Sequence, residues 1–238
     1  MPRQLVAVAP RVAEIVEYED REILPNEVKV KVEYAAPKHG TELTDFRGNS
    51  PFLKEKYDSE WHMFVPRAKE EQTEIVFGKW NLGNQWVGRI IEKGSEVKDY
   101  ELGDRVCSYG GIRETHIVNA VNNYRLRKLP ENASWKNALC YDPAQFAMGA
   151  VRDANIRVGD RVAVFGLGAI GQIAVQLCKK MGTSLVAAID PIEIRRQVAK
   201  KNGADVVLDS TTTDVGMELK KLTEKMGVDA VVETSGHP

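Results

Sequence analysis

A glycine-rich turn is the clearest sign of chemistry in this sequence. The stretch GLGAIG places Gly166, Gly168 and Gly171 in the spacing G-x-G-x-x-G, directly after one apolar run and before another with helical spacing. In that setting the first glycine permits a tight turn, the second lets the backbone approach a pyrophosphate, and the third allows close helix-sheet packing. The unpaired N–H groups of the helix N-terminus also favour an anion. The turn therefore predicts a dinucleotide-binding site.

An acidic residue at the end of the next strand predicts which dinucleotide binds. Asp190 lies 19 residues beyond Gly171, where a carboxylate can hydrogen-bond a ribose diol and repel a 2′-phosphate. NAD is therefore favoured over NADP. Arg195 can reach the same ribose or tolerate the phosphate, so NADP stays open. The predicted cofactor-binding residues are Gly166, Leu167, Gly168, Ala169, Ile170, Gly171, Asp190 and Arg195.

A second group of reactive residue types lies near the start of the chain. The stretch PKHGTELTDF places His39, Thr41 and Glu42 in one short predicted turn after an apolar strand. Three interpretations are open from these residues alone: a polar loop tip, a metal ligand with supporting groups around it, or a proton relay.

The elements that must position these residues follow two patterns. From about residue 161 onward, apolar runs typical of buried strands alternate with stretches of helical spacing, which predicts a parallel sheet covered by helices. The predicted elements are strand 161–166, helix 169–180, strand 184–190, helix 192–201, strand 205–209, helix 215–226 and strand 228–235.

The first part of the chain reads instead as strands and turns. Strands are predicted within 28–34, 86–94 and 102–111, and a helix-compatible stretch over 138–154 is expected to be interrupted at Pro143. The fold class is therefore α/β with a separate β-rich domain. We place the first domain at residues 1–150 and a dinucleotide-binding domain at 151–238.

Charge and cysteine usage exclude several classes of protein. The chain has 33 basic and 34 acidic residues interspersed among each other, so no basic stripe is available to bind nucleic acid. No apolar stretch reaches membrane-spanning length or resembles a signal peptide. Cys107, Cys140 and Cys178 are too few and too far apart for a disulfide framework, so small buried apolar residues are expected in a cytoplasmic protein.

The order of these motifs resembles the medium-chain dehydrogenase/reductase superfamily, which includes the zinc alcohol dehydrogenases and the quinone reductases. The strand-rich first part, the LGDRV turn and the run VGDRVAVFGLGAIGQIAVQLCKKMG carry the resemblance, which extends over essentially the whole chain. It implies a GroES-like catalytic domain followed by a Rossmann domain, with the active site between them.

The resemblance also implies roles for the residues near the start. His39 stands in the place of the family's first metal ligand, Thr41 in that of the proton-relay hydroxyl, and Glu42 in that of the supporting acid. The place of the second ligand holds the amides Asn84 and Gln85, whereas Asp142 keeps a carboxylate at the third. The implied catalytic residues are His39, Thr41, Glu42 and Asp142, and the resemblance leaves a bound zinc ion open.

The C-terminal stretch VVETSGHP follows the fourth strand of a sheet that usually has six in the order 3-2-1-4-5-6. The fourth strand is then expected to form an edge. This pattern predicts either a truncated form of a longer enzyme or an edge covered by a partner chain, and a homo-oligomer stays open.

The function expected from these features is hydride transfer between a nicotinamide cofactor and a small alcohol or carbonyl substrate. The carboxylate-proline pair at Asp142 resembles the polyol and sugar dehydrogenase branch, which implies a hydroxylated secondary alcohol. Two alternatives are open: a metal-free quinone or enone reductase, and a cofactor-binding protein without turnover.

Overall fold

The computed structural model describes residues 1–236, apart from the side chains of His39 and Thr41. It divides into two compact units between Leu139 and Cys140. That division lies before the predicted domain boundary at residue 150, because helix α3 (Tyr141–Asp153) packs against α4 in the second unit. The assignment of the first unit as a catalytic domain stays a prediction.

The first unit is built from antiparallel strands. They form a three-stranded sheet in the order β2-β1-β6, a five-stranded sheet in the order β10-β8-β7-β3-β9 and the hairpin β4-β5. Short helices α1 (His39–Phe46) and α2 (Trp135–Ala138) and the 3-10 turns Pro51–Leu53 and Lys69–Glu71 connect them. The strands are β1 (Arg3–Ala9), β2 (Val12–Glu17), β3 (Glu27–Ala36), β4 (Glu55–Asp58), β5 (Met63–Pro66), β6 (Trp80–Asn81), β7 (Gln85–Lys93), β8 (Arg105–Tyr109), β9 (Thr115–Asn119) and β10 (Arg127–Lys128).

The core of the first unit lies on one face of the five-stranded sheet. Val28 and Val30 are two residues apart on β3, so their side chains share a face, and both are fully buried. They pack with Trp86 and Ile90 of β7, which pairs with β3 in antiparallel register. This alternation explains why 28–34 could be recognised as a strand from the sequence.

The second unit contains a parallel four-stranded sheet in the order β13-β12-β11-β14. In chain order of the strands this is 3-2-1-4, so the predicted partial doubly wound sheet is confirmed and β14 is an edge strand of these four. After α3, its elements are β11 (Arg161–Phe165), α4 (Ala169–Lys180), β12 (Leu185–Ile189), α5 (Glu193–Lys201), β13 (Val206–Leu208), α6 (Val215–Leu222) and β14 (Ala230–Glu233).

Helices cover both faces of this sheet. Val162 and Val164 of β11 pack with residues of α3 and α4 on one face. Ala163, the residue between them, packs with Leu219 of α6 on the other face. Successive residues of each strand are therefore buried on opposite sides, which produces the continuous apolar runs seen in the sequence. No helix within residues 1–236 has the length and apolar character needed to cross a lipid bilayer.

Two predicted helix features are wrong. Helix α3 runs without interruption through Pro143, because proline occupies its third residue, where the backbone N–H has no partner within the helix in any case. Helix α6 ends at Leu222 instead of Met226. Glu224 and Lys225 adopt positive φ angles of 51° and 73°, which cannot continue a right-handed helix.

The cysteines differ from one another in burial. Cys178 is fully buried among the apolar residues of α4, and burial raises the pKa of its thiol to about 11. Cys107 is partly buried. Cys140 is exposed, so the prediction of a buried apolar residue is wrong there.

Candidate functional site

The glycine-rich turn joins the end of β11 to the start of α4. Gly166 follows the strand with φ of +80°, a conformation that L-residues with side chains rarely adopt. A Cβ atom at this position would overlap the backbone of Ser235, just beyond β14. The turn therefore requires glycine both for its backbone angle and for its close approach to a neighbouring segment.

Gly171 lies in the first turn of α4 and brings the helix against the glycine-rich turn. A Cβ atom there would overlap the carbonyl oxygen of Gly166 and lie 2.9 Å from Thr234 Oγ1. The Thr234 hydroxyl donates to the Gly166 carbonyl at 2.6 Å, so turn, helix and the end of β14 meet at one point.

The N-terminus of α4 is suited to an anion. Gly168 is its N-cap residue, and among the described residues no side chain caps the helix and no acidic residue occupies its first turn. The first N–H groups of a helix have no acceptors within it, and they carry partial positive charge. A phosphate group is the ligand chemistry that this helix end fits.

Asp190 lies at the end of β12 and holds the glycine-rich turn. Its Oδ2 accepts from the Leu167 N–H at 2.8 Å, and its Oδ1 accepts from the Ile192 N–H at 2.8 Å. The residue is only 2% exposed. Each carboxylate oxygen has two lone pairs, and Oδ2 also accepts from Arg195 Nη1 at 3.4 Å, so Oδ1 keeps acceptor capacity for a ribose hydroxyl. The ribose contact could be predicted from the sequence, but the anchoring of the turn could not, because its acceptor and donor lie 23 residues apart.

Two arginines surround Asp190 in different ways. Arg195, a predicted cofactor residue, places Nη1 at 3.4 Å from Asp190 Oδ2 with its side chain 45% exposed. Arg196 was not predicted. Its Nη1 donates to the Asp190 carbonyl oxygen at 2.7 Å and lies 3.0 Å from the Asp209 carboxylate, so Arg196 links the ends of β12 and β13. The only signal for Arg196 in the sequence was its cationic residue type, a few residues after the predicted strand 184–190.

The stretch with His39, Thr41 and Glu42 forms helix α1 instead of the predicted turn, so that prediction is wrong. Glu42 stabilises the start of this helix, because its Oε2 accepts from the Lys38 N–H at the N-cap position, at 3.1 Å. Burial raises the pKa of Glu42, and the backbone hydrogen bonds that it accepts partly oppose this. The side chains of His39 and Thr41, two of the predicted catalytic residues, lie outside the described part of the structure.

Glu42 also fixes the loop that carries the two amides. Its Oε1 accepts from the Gly83 N–H at 2.8 Å, directly before Asn84. The backbone of Asn84 donates to Ala36 and accepts from Gly110, which ties the loop to the five-stranded sheet. Gln85 begins β7 and is 5% exposed. Within the first unit, the structure thus brings α1 and the amide loop together through one carboxylate.

Asp142, the remaining predicted catalytic residue, lies in the second unit. It occupies the first turn of α3 and is 5% exposed. A carboxylate in this position interacts favourably with the helix dipole.

The donor set that the structure describes lacks the second ligand expected of a zinc site. Catalytic zinc takes three ligands from Cys, His, Asp and Glu, and the two amides Asn84 and Gln85 stand where a second ligand was expected. Among the side chains that the structure describes, no three such residues lie close enough together to hold a metal.

Comparison with known proteins identifies the family. D-guloside 3-dehydrogenase of Escherichia coli (strain K12) is 60% identical over 235 residues, which cover 99% of this chain and 67% of that protein. The chain belongs to the medium-chain dehydrogenase/reductase superfamily. This family member is accordingly an alcohol dehydrogenase-like oxidoreductase. The family described as Zinc-binding dehydrogenase matches residues 169–238.

More distant members of the superfamily show the same fold. (R,R)-butanediol dehydrogenase of Bacillus subtilis (strain 168) is 27% identical over 90% of this chain and 65% of that protein. The crystal structure of 2R,3R-butanediol dehydrogenase from Bacillus subtilis superposes with a TM-score of 0.76 at 24% identity, covering 100% of this chain and 72% of that one. The fold class predicted from the motif order is thus confirmed.

Proposed function

We propose that this dehydrogenase uses NAD to oxidise a secondary hydroxyl group of a sugar or polyol, or to reduce the corresponding ketone. The observation that carries the proposal is the 60% identity with D-guloside 3-dehydrogenase over nearly the whole chain. The glycine-rich turn beside Asp190 supports the choice of cofactor, since its helix end suits phosphate and its carboxylate suits a ribose diol.

The residues proposed to hold the cofactor come from the second unit. Backbone N–H groups at the start of α4 would bind the pyrophosphate, and Asp190 would bind the adenosine ribose. When bound, the nicotinamide ring supplies a carbon that accepts or donates a hydride. Arg195, with an exposed guanidinium, is proposed to contact the same ribose. The full proposed set is Gly166, Leu167, Gly168, Ala169, Ile170, Gly171, Asp190 and Arg195.

Proton transfer is assigned to residues of α1. We propose that the Thr41 hydroxyl hydrogen-bonds the substrate oxygen and that His39 takes up the proton released on oxidation, since a histidine titrates near neutral pH. Glu42 holds this helix in place, because its carboxylate accepts hydrogen bonds from the backbone N–H groups of Lys38 and Gly83. These bonds fix α1 against the amide loop. Asp142, nearly inaccessible to solvent in the first turn of α3, is proposed as the remaining catalytic residue.

The proposal is tested by measuring NADH and NADPH binding, metal content and turnover on one purified sample. We expect NADH to bind more tightly than NADPH and NAD-linked oxidation to occur with D-gulosides ahead of simple diols. Absence of NADH binding by the folded chain would contradict the proposal. NADH binding without turnover of any D-guloside or diol would favour a cofactor-binding protein. A preference for NADPH would favour the reductase alternative. About one equivalent of bound zinc would overturn the conclusion on the donor set.

A matched pair of threonine variants tests the proton path. Thr41→Val removes the hydroxyl and should lower kcat by about 100-fold, a typical loss for a proton-transfer group. Thr44→Val makes the same change one turn further along α1 and should keep the wild-type kcat. Equal losses in the two variants would show that a change in the helix, instead of the missing hydroxyl, lowers kcat.

A further inference from the structure

The side-chain amide of Gln172 joins three segments of the second unit. Its Nε2 donates to the carbonyl oxygens of Leu167 at 3.3 Å and Arg195 at 2.8 Å, and its Oε1 accepts from Asn202 Nδ2 at 3.2 Å. Gln172 is on α4, Leu167 is in the glycine-rich turn, and Arg195 and Asn202 lie at the two ends of α5. Both polar atoms of one side chain are therefore used to connect the turn with α5.

The bond to Leu167 completes the restraint of the glycine-rich turn. Leu167 stands between the first two glycines, and its N–H already donates to Asp190. With its carbonyl oxygen accepting from Gln172, the peptide groups on both sides of this residue are held by side chains. The orientation of these peptides sets the direction of the N–H groups that follow at the start of α4. A turn fixed in this way binds its ligand without first losing conformational freedom.

The bond to Arg195 extends the restraint to the ribose end of the site. The guanidinium of Arg195 lies next to the Asp190 carboxylate, and its backbone is held by Gln172 in the first turn of α5. The position of α5 decides how far this cation is from a ribose 2′ position. Releasing α5 would give Arg195 more freedom to pair with a 2′-phosphate.

We propose that Gln172 is a positioning residue that couples the phosphate-binding turn to the ribose end of the cofactor site, and thereby sets both the affinity for NADH and its preference over NADPH. This inference rests on the proposed function, since it requires that a dinucleotide binds at this turn. Gln172 acts through Leu167 and Arg195 and has no part in hydride or proton transfer.

Two variants of Gln172 and one control test the proposal. Gln172→Met keeps the length of the side chain and removes its hydrogen bonds. Gln172→Glu keeps the shape and the bond from Asn202 but places an acceptor oxygen against two carbonyl groups. Gln176→Met is the matched control, because Gln176 is partly buried one turn further along α4 and its Nε2 bonds only the Gln172 carbonyl among the described residues.

Fluorescence titration of the full chain with NADH and NADPH is the measurement. Gln172→Met should raise the dissociation constant of NADH by about tenfold, since all three hydrogen bonds of the side chain are lost. Gln172→Glu should raise it by more, since the bonds to the Leu167 and Arg195 carbonyl oxygens are replaced by repulsion. The ratio of the NADPH to the NADH constant should fall by about threefold, which a purely structural role would not produce. Gln176→Met should bind both nucleotides as the wild type does.

Three results would overturn the inference. Gln172→Met could bind NADH with the wild-type constant, Gln176→Met could lose as much affinity as Gln172→Met, or the two nucleotides could be affected equally. Circular dichroism shows whether each variant folds, and Gln172→Glu decides the question if Gln172→Met does not fold. The wild-type titration separates the two proposals: no binding there contradicts the proposed function itself, whereas wild-type binding with unaffected variants contradicts only the role of Gln172.

Discussion

Asp190 shows how one side chain serves both the fold and the site. Its carboxylate accepts two backbone hydrogen bonds, from the glycine-rich turn and from the residue before α5, while it stays nearly inaccessible to solvent. A buried carboxylate is stable only when such donors replace the water it has lost. Ribose hydroxyls arriving at this site would therefore meet an acceptor that is already fixed in position.

His116 is a buried histidine outside the candidate site. Its ring stacks on Trp86 with centroids 4.8 Å apart, and its Nε2–H donates to the Gly111 carbonyl oxygen at 2.9 Å. Burial lowers the pKa of His116 to about 4, and the positive charge of Arg113 acts in the same direction. The neutral imidazole is thus part of the folded first unit, and no local sequence pattern indicated this burial.

The lowered pKa of His116 predicts a loss of stability in mild acid. The unfolded chain binds a proton near pH 6.5, whereas the folded chain does so only near pH 4, so the free energy of unfolding falls as the pH drops through this window. The full effect is about 3 kcal/mol. Urea unfolding at pH 7 and at pH 4.5 measures it.

His116→Phe keeps a ring against Trp86 and should flatten this pH dependence. His62→Gln is the matched control, because His62 is exposed on the β4-β5 hairpin and should leave the pH dependence unchanged. A parallel loss of stability in wild type and His116→Phe would show that other groups cause it.

At the scale of elements, close backbone approach fixes how α4 lies against its turn. Gly171 leaves room for the Gly166 carbonyl oxygen, and Thr234 reaches the same oxygen from the end of β14. In the first unit, Glu42 performs a comparable task by fixing α1 to Gly83. Both arrangements join elements that are distant in the sequence, and both lie where the family resemblance places function.

Gly171→Ala should move α4 away from the turn. The new methyl group would overlap the Gly166 carbonyl oxygen, and overpacking of this kind destabilises by about 2 kcal/mol, more than the gain in helix propensity. We therefore expect both a lower thermal midpoint and weaker NADH binding.

Gly149→Ala is the control, because Gly149 lies in α3 with no atom within 4 Å of its added Cβ. That variant should be stabilised by up to about 1 kcal/mol and bind NADH normally. Normal binding by Gly171→Ala would contradict the requirement for close packing.

At the scale of the whole molecule, the chain consists of two compact units with different sheets. All four tryptophans, Trp61, Trp80, Trp86 and Trp135, belong to the first unit, whereas the proposed cofactor residues belong to the second. Tryptophan fluorescence therefore reports on the first unit, and far-ultraviolet circular dichroism is dominated by the helices of the second.

This distribution predicts how a bound cofactor changes thermal unfolding. A ligand that binds only the native second unit stabilises that unit by mass action, so saturating NADH should raise the circular dichroism midpoint by a few degrees. The tryptophan fluorescence midpoint should rise by less. Equal shifts of the two midpoints would show that the units unfold as one cooperative structure.

Local patterns predicted much of the second unit. Helix α4 begins and ends at the predicted residues, because its apolar spacing and the glycines before it are both local signals. The stretch at His39 was predicted as a turn, since its polar residues suit either conformation and the hydrogen bond from Gly83 to Glu42 spans 41 residues. The early end of α6 was missed because Glu224 and Lys225 are residue types that usually favour a helix.

Local patterns in the amino-acid sequence were enough to predict the alternation of strands and helices and the glycine-rich turn. These depend on periodicity and on steric limits within a few residues. Only the tertiary structure decided that Asp190 and Gln172 hold the two sides of Leu167, that Glu42 fixes Gly83, and that His116 is buried on Trp86. Most of these contacts join residues far apart in the sequence, and even the short-range ones depend on packing that no local pattern specifies.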